Sequence, residues 1–473
     1  MTNIPPIILW FRRDLRLSDH AALSAACATG RPVIPLFILD EVAETLGAAP
    51  KFRMGAAVGV FADSLAARGS RLILRRGPAL AVLRDLIAQT GAADVWWQRL
   101  YDPAAKARDT EVKAALKADG IEARSFAGHV LFEPWDVQTG AGGFYKVFTP
   151  FWNSVRGRDL PLLLPAPARI TAPAVWPASD ALADWDMGAA MRRGAAVLAP
   201  HMQVGEAAAR DRLDGFIDTK VAGYVAARDL PGVDGTSGLS ENLTHGEISP
   251  LTCWVAGRRA MELGRPGAET FLKELVWRDF ATHLVHHTPH IIDQNWKPEW
   301  DAFPWNTNVL SHEVKAWQQG RTGVPFVDAA MRQMYVTGTM HNRGRMIVAS
   351  YLTKHLMTDW RIGLHWFADC LIDWDPASNA MGWQWAAGSG PDAAPYFRVF
   401  NPVTQLDKFD PRGVYAKTWI AEGQRTPPAT ALAYFDAIPE RWGLSPGSFY
   451  PNPVVGMAEG RQRALEAYAA RVL

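Results

Sequence analysis

The chain has 473 residues and a mass of 52.1 kDa, which at roughly 150 residues per domain predicts two or three domains with a large buried core. With 48% hydrophobic and 21% charged residues its composition is that of a globular protein, too apolar for disorder, and no apolar run reaches the ~18 residues of a transmembrane helix. Lysine plus arginine (49) nearly balances aspartate plus glutamate (48), so any contact with nucleic acid must come from a local basic patch.

The first residues carry no basic region leading into an apolar stretch, so no secretory signal is expected. Cys27, Cys253 and Cys370 are far apart, odd in number and in no C-x-x-C pair, which speaks against a disulfide framework and cannot supply a four-cysteine cluster. A cytoplasmic protein without membrane contact is expected. Short apolar runs at 7–11, 33–39, 71–74 and 95–97 alternate with alanine-rich helical patterns at 56–67 and 104–118. The second helical pattern opens after Asp102-Pro103, a helix start. Such alternation predicts a parallel sheet covered on both faces, placed at residues 1–130. Pro161, Pro165, Pro167, Pro173 and Pro177 mark a linker wrapped over the surface, within an interdomain segment at 131–204. Beyond 205 the strand signals fade. Helical patterns at 268–287, 325–336, 346–357 and 362–372 predict an all-helical domain to residue 473.

Several familiar motifs fail on inspection. Gly140-Ala141-Gly142 has Tyr145 where a dinucleotide loop needs its third glycine, and His312-Glu313 has Ala316 where a zinc protease needs its second histidine. His283, His286, His287 and His290 share helical spacing without a recognisable metal pattern, so hydrogen-bonded histidines are expected and no metal. Thr236-Ser237-Gly238-Leu239-Ser240 clusters hydroxyls and a glycine at the mouth of a helix, a pattern that donates to phosphate. Its bland alternative is a capped serine/threonine turn, and Thr244-x-x-Glu247 is itself a capping-box pattern. Glu274, Trp277 and Arg278 lie three and four residues apart on one helical face. A carboxylate, an indole and a guanidinium there suit a planar, hydrogen-bonding ligand near phosphate, or simply a salt bridge beside a packed aromatic. The 20 tryptophans exceed what core filling needs.

The stretch 320–410 carries Gly320-Arg321-Thr322-Gly323, Asp328-Ala329-Ala330-Met331-Arg332, His341-Asn342-Arg343-Gly344-Arg345-Met346, Asp373-Trp374-Asp375 and the segments 379–385 and 392–402. Together with Trp10-Phe11-Arg12-Arg13-Asp14-Leu15-Arg16, this series resembles the photolyase and cryptochrome family over essentially the whole chain. The resemblance implies an N-terminal Rossmann-like α/β antenna domain, a long linker and a C-terminal all-helical domain. The last would bind FAD in a U shape and use blue light to send an electron from reduced flavin to damaged DNA.

At matching positions the resemblance assigns Tyr224, Thr236, Ser237, Gly238, Leu239 and Ser240 to the FAD phosphates. Arg345 would pair with Asp373 beside the flavin ring, with Trp374, Asp375 and Arg278 also at the cofactor, and Asn379 would face flavin N5. Trp277 and Trp385 would cradle the lesion, Glu274 and Asn342 would hydrogen-bond it, and Met346 would pack against it. Arg228, Arg278, Arg343, Arg398 and Gln405 would lie near the DNA backbone or lesion, since guanidinium forks bind phosphate well. Trp383, Trp360 and Trp305 fall at the positions of an electron-transfer chain from the surface, whereas Trp296, Trp300 and Trp366 read as packing.

Within the family, the 341–346 stretch resembles enzymes for cyclobutane pyrimidine dimers, while (6-4) enzymes would offer a histidine pair there. Asn379 also favours repair over signalling, because cryptochromes usually carry aspartate or cysteine at that position. The expected protein is therefore a carbon–carbon lyase acting on UV-damaged DNA as a monomer. A blue-light photoreceptor cryptochrome or a (6-4) photolyase is the alternative, and a light-independent flavoprotein oxidoreductase a third. Thr339 and Gly344 replace bulkier residues and are expected to open space near flavin and lesion. A second, antenna chromophore of folate or deazaflavin type in the N-terminal domain is left open, since Ala104, Ala105 and the 47–51 stretch match neither type closely, and having no antenna at all is compatible with repair.

Overall fold

The computed structural model describes residues 4–393 and 395–470. The chain begins with β1 (Ile7–Phe11), α1 (Ala21–Ala28), β2 (Val33–Leu39), α2 (Ala48–Ala66), β3 (Ile73–Arg76), α3 (Ala79–Thr90), β4 (Asp94–Gln98), α4 (Pro103–Ala118) and β5 (Glu122–Phe126). Among the described residues the strands form one parallel sheet in the order β3-β2-β1-β4-β5, which requires helical crossovers. Ile7, Leu9 and Phe11 pack on the side of α1 and α2, while Ile8 and Trp10 pack on the side of α3 and α4. Burial on both faces is why β1, β2 and β4 are buried at every position. Asp102 caps α4 by accepting from Ala105 N–H, with Pro103 in the first turn, as the sequence predicts.

The connecting segment is more structured than its proline content suggests. It contains α5 (Phe148–Val155) and α6 (Gly194–Leu198), and its extended part is bonded to the sheet, with Val33 N–H donating to Thr171 O and Asp180 N–H to Leu74 O. Helices then follow: α7 (Glu206–Gly215), α8 (Tyr224–Ala227), α9 (Ser240–His245), α10 (Pro250–Glu262), α11 (Ala268–His287), α12 (His312–Gln318), α13 (Pro325–Thr337), α14 (Asn342–Ser350), α15 (Trp360–Cys370), α16 (Pro376–Ala387), α17 (Pro402–Phe409), α18 (Val414–Trp419), α19 (Ala429–Ala437) and α20 (Met457–Ala470). The pattern at 346–357 spans two conformations, since α14 gives way to a wider helical turn at Tyr351–His355. Thr244-x-x-Glu247 is no capping box. Gly246 ends α9 in the left-handed region at φ 65°, Thr244 donates to Asp373 O, and Ser249 caps α10 instead. Gly246 is also required by space, because a Cβ there would overlap the Arg13 backbone.

Buried charge ties the two parts together. Arg53 of α2 donates to Glu247 at 2.6 and 2.9 Å and to Glu241 at 2.9 Å. Burial alone would lower the Arg53 pKa, but Glu247 and Glu241 outweigh it and raise it. A buried guanidinium is tolerated only when its donors are matched in this way. Asp279 of α11 accepts from Leu131 and Phe132 N–H at 2.8 and 3.0 Å, fixing the start of the connector. No helix among the described residues is long and apolar enough to cross a membrane.

Burial pushes the Asp279 carboxyl up from 3.8 to about 7, partly opposed by the Phe132 N–H, Arg278 and the Leu131 N–H. The folded protein therefore holds a proton that the unfolded chain has already released above about pH 4, so this group makes stability fall as pH rises toward 7. Urea unfolding across that range is expected to show the decline in the wild type and a flatter profile in Asp279→Asn.

Candidate functional site

The site is organised by the short segment between α15 and α16. Arg345, one turn into α14, donates from Nη2 to Asp373 Oδ1 and Oδ2 at 2.9 and 2.7 Å, while its Nε donates to Met340 O at 2.8 Å. Two residues on, Asp375 caps α16 through Ser378 N–H and accepts from Arg13 Nη2 at 2.7 Å. Burial would raise the Asp375 pKa, but Arg13 and Arg278 hold it well below the usual carboxylate range. Asp375 therefore remains charged where it is buried, and the Arg345 fork matches the buried Asp373 carboxyl.

A second group gathers where α8, α11 and α14 meet. Arg228 donates to Glu274 Oε1 at 2.6 Å and lies 5.4 Å over the Tyr224 ring. Burial, with the Glu274 charge, pushes the Tyr224 phenol up to about 12. Arg343 pairs with Asp229 at 2.7 Å and stacks 4.3 Å over Phe409. One turn apart on α14, Asn342 Nδ2 and Met346 Sδ are 3.9 Å apart. Trp277, three residues after Glu274, stacks on Phe148 of α5 at 3.7 Å and 7°. On α16, Trp385 stacks on Phe400 at 6.5 Å and 23°. Arg398 is exposed and Gln405 half-buried.

Arg278 is not part of that group. Its guanidinium donates to His129 O at 2.5 Å and contacts His129 Nε2 at 2.9 Å, at the junction with the N-terminal domain and within the field of Asp375. The expected contact of Arg278 with DNA is therefore replaced by a place behind the Asp375 pair. The shared face that spacing gave Glu274, Trp277 and Arg278 resolves into three separate partners. Gly344 likewise opens no space: a Cβ there would press on Ala330 and Met340 at 3.1 Å, because α14 packs closely on α13. Thr339 Oγ1 is 2.9 Å from Thr337 Oγ1, which also accepts from Thr339 N–H and ties the turn after α13.

The Thr236–Ser240 turn precedes α9, with Gly238 at φ 64° and its carbonyl accepting from Arg212 at 2.6 Å. The hydroxyls of Thr236 and Ser240 make no hydrogen bond within the described protein, and Trp374 Nε1 is buried without a partner. Free hydroxyl and indole donors, the Arg345 fork and two fixed carboxylate acceptors fit a cofactor with phosphates, hydroxyls and a planar heterocycle. Asn379 donates from Nδ2 to Leu364 O at 3.1 Å. Among the described residues no group of histidine, cysteine and acidic side chains could hold a metal ion, and His283 instead accepts from Tyr145 N–H.

Trp383, Trp360 and Trp305 all lie in the helical core. Trp360 donates to Asn295 Oδ1 at 2.9 Å and Trp305 to Thr353 O at 3.2 Å. Trp305 is only 8% exposed, being stacked on Trp300 at 5.5 Å and 20°, so the series ends beneath the surface. A cavity of about 650 Å³ lies between α2 and the helical part, bordered by Ala48, Ala49, Arg193, Trp366, Cys370 and Trp442. Of the candidate antenna positions, Ala48 and Ala49 of the 47–51 stretch border this cavity, whereas Ala105 is buried.

Residues 7–170 match the family described as DNA photolyase, and residues 271–470 that described as the FAD-binding domain of DNA photolyase. A deoxyribodipyrimidine photo-lyase of Agrobacterium fabrum is 45% identical over 98% of both chains. The chain belongs to the DNA photolyase family. The crystal structure of a bacterial class III photolyase from Agrobacterium tumefaciens superposes with a TM-score of 0.90 at 43% identity, covering 99% of this chain and 98% of that one. Cryptochrome-1 of Arabidopsis thaliana is 33% identical over 97% of this chain and 70% of its own. The helical part is thus an FAD-binding domain and the N-terminal part the parallel-sheet domain of the family.

Sequence reasoning missed Arg13 as the partner of Asp375, His129 as the partner of Arg278 and Phe148 as the partner of Trp277. Arg13 was within reach, since it stands inside the Trp10–Arg16 motif. His129 and Phe148 carry no local signal, because their roles arise only when the connector folds onto α11.

Gly363 of α15 faces the Trp383 ring, and a Cβ there would overlap it. Glycine to alanine inside a helix ordinarily stabilises by about 0.5–1 kcal/mol. Here Gly363→Ala is expected to destabilise by ~1–3 kcal/mol through overpacking and to slow photoreduction of the bound flavin, as read by thermal melting and by absorbance under blue light.

Proposed function

We propose that this protein repairs cyclobutane pyrimidine dimers in DNA by light-driven electron transfer to a dimer turned out of the duplex. The observation that carries this reading is that the adjacent residues Arg228 and Asp229 pair with Glu274 of α11 and with Arg343 of α14, the helix that also carries Asn342, Met346 and the Arg345 fork to Asp373. FAD held in this domain supplies, in its reduced form, the electron donor that blue light excites.

The chain's own residues do the rest. The Arg345–Asp373 fork and Asp375, fixed by Arg13 and Ser378 N–H, give the cofactor a fixed polar wall, with Asn379 placing an uncharged amide beside them. Thr236 and Ser240 offer free hydroxyls to phosphate. A dimer distorts the duplex and costs less to unstack than a normal pair. Trp277 and Trp385 present indole faces to it, each held by a stacked ring, and Met346 and Asn342 supply a soft contact and an amide. Glu274, held by Arg228, is oriented before the substrate arrives, which is what stabilisation of charge developing on the bases requires. Arg228, Arg343 and Arg398 supply the local basic patch for phosphates, with Gln405 beside them.

His341 argues for dimers over (6-4) photoproducts. Its Nδ1 accepts from Arg343 N–H at 3.1 Å, and burial, partly opposed by the Asp229 charge, lowers its pKa to about 4. A histidine that is neutral and already committed as an acceptor is a poor proton donor near neutral pH. The photoreceptor reading draws on the cryptochrome relative and lacks a comparable observation at the site. The proposal extends to a division at 1–130, 131–204 and 205–473, to action as a monomer in the cytoplasm, and to a folate- or deazaflavin-type antenna in the cavity beside α2.

Fully reduced, FAD-loaded protein is expected to restore duplexes carrying a cyclobutane thymine dimer under blue light, and neither those in the dark nor a (6-4) duplex in the light. Chromatography of the recovered bases measures this. Failure on both lesions would leave a photoreceptor with the outline of an enzyme.

A further inference from the structure

Lys354 is fully buried (0% exposed) in the wide turn that follows α14, and among the described residues no carboxylate lies within ion-pairing distance of it. An ammonium removed from water without a carboxylate is costly to keep, so its remaining contacts are informative. Nζ donates to the backbone carbonyl of Arg398 at 3.1 Å and lies 5.3 Å from the centre of the Tyr396 ring. A charge-assisted bond to a carbonyl and a cation over an aromatic face are the two neutral-partner contacts that suit a buried ammonium.

Both contacts fall on one irregular segment, 395–400. Its internal bonds are few: Arg398 N–H donates to Pro395 O at 2.9 Å and Val399 N–H to Phe397 O at 3.0 Å. Tyr396 points inward, stacking on Tyr468 at 5.0 Å, while Phe397 is 59% exposed and Arg398 is exposed beside it. The Arg398 guanidinium makes no hydrogen bond or ion pair within the described protein, so its backbone is pinned while its charge is left free. At one end Phe400 stacks on Trp385. Just before the segment, Asp392 accepts from Phe148 N–H at 3.0 Å, and Phe148 stacks on Trp277. The segment therefore lies between the two indoles assigned to the lesion.

We propose that Lys354 is a positioning residue for lesion binding: by gripping the Arg398 carbonyl it fixes the 395–400 segment so that Arg398 and Phe397 meet the damaged strand. This rests on the function proposed above, and it assigns to a buried lysine remote from the chemistry a part in substrate affinity.

The test compares FAD-loaded wild type, Lys354→Met and Lys354→Gln by hydrogen exchange and by binding to a dimer-containing duplex. Expected are faster exchange confined to 395–400 in both variants and dimer binding weakened about tenfold, the scale of one charge-assisted bond. Single-turnover repair of saturated complexes is expected to be unchanged. In an Arg398→Ala background, Lys354→Met is expected to cost little more, since the lysine acts through that arginine. Equal loss with and without Arg398, unchanged exchange at 395–400, or exchange raised across the whole helical domain in both variants would each overturn the proposal. If wild type binds no dimer duplex, the proposed function and the positioning role fall together. A wild type that binds tightly beside variants that bind equally well would sink the role of Lys354 alone.

Discussion

Two aspartates separated by one residue, Asp373 and Asp375, are buried, and each is matched by an arginine that reaches it from elsewhere in the chain. Arg345 comes from the helical domain and Arg13 from the loop after β1. Buried carboxylates without such partners would be expelled or protonated, so the segment between α15 and α16 can exist only where both domains are docked. Thr244 and His245 of α9 are bonded to the same segment through Asp373 O and Ile372 O, which carries the constraint to the 236–240 turn. One ion-paired segment thus sets the relative places of the 236–240 turn, the N-terminal domain and helix α16 with its tryptophans.

The elements most legible in the sequence were those whose burial is uniform. The strands β1, β2 and β4 read as apolar runs because both their faces are covered. β5, with the sequence Glu-Ala-Arg-Ser-Phe, gave no such signal, because it lies at the sheet edge and its side chains are partly in water. Helix α5 escaped notice among prolines, and the wide turn at Tyr351–His355 was invisible to a regular 3.6-residue pattern. At the site, the residue types were readable from motif resemblance, but not their pairing. Helical spacing placed Arg278 with Glu274, whereas the fold sends Arg278 to His129 and gives Glu274 to Arg228. Spacing along one helix knows nothing of which neighbours arrive at it from the connector.

The same contrast bears on how a family with one fold serves several ends. The proposed cofactor wall is built from ion pairs between distant parts of the chain, so it is inseparable from folding. The proposed lesion side is built from partly exposed residues, such as Trp277 on Phe148 and Arg343 between Asp229 and Phe409. Substitution on that side can redirect the protein without dismantling it, whereas substitution in the wall would loosen the domains themselves.

The sheet has two edges, and each is closed to further pairing. At β3 the connector supplies the bonds, Ser179 Oγ accepting from Leu74 N–H and Asp180 N–H donating to Leu74 O. At β5 the strand carries Glu122 and Arg124, and charge on an edge opposes its extension by another chain. The connector, necessary for bringing the helical domain to the sheet, therefore also guards this protein against assembling strand to strand when it is crowded or partly unfolded.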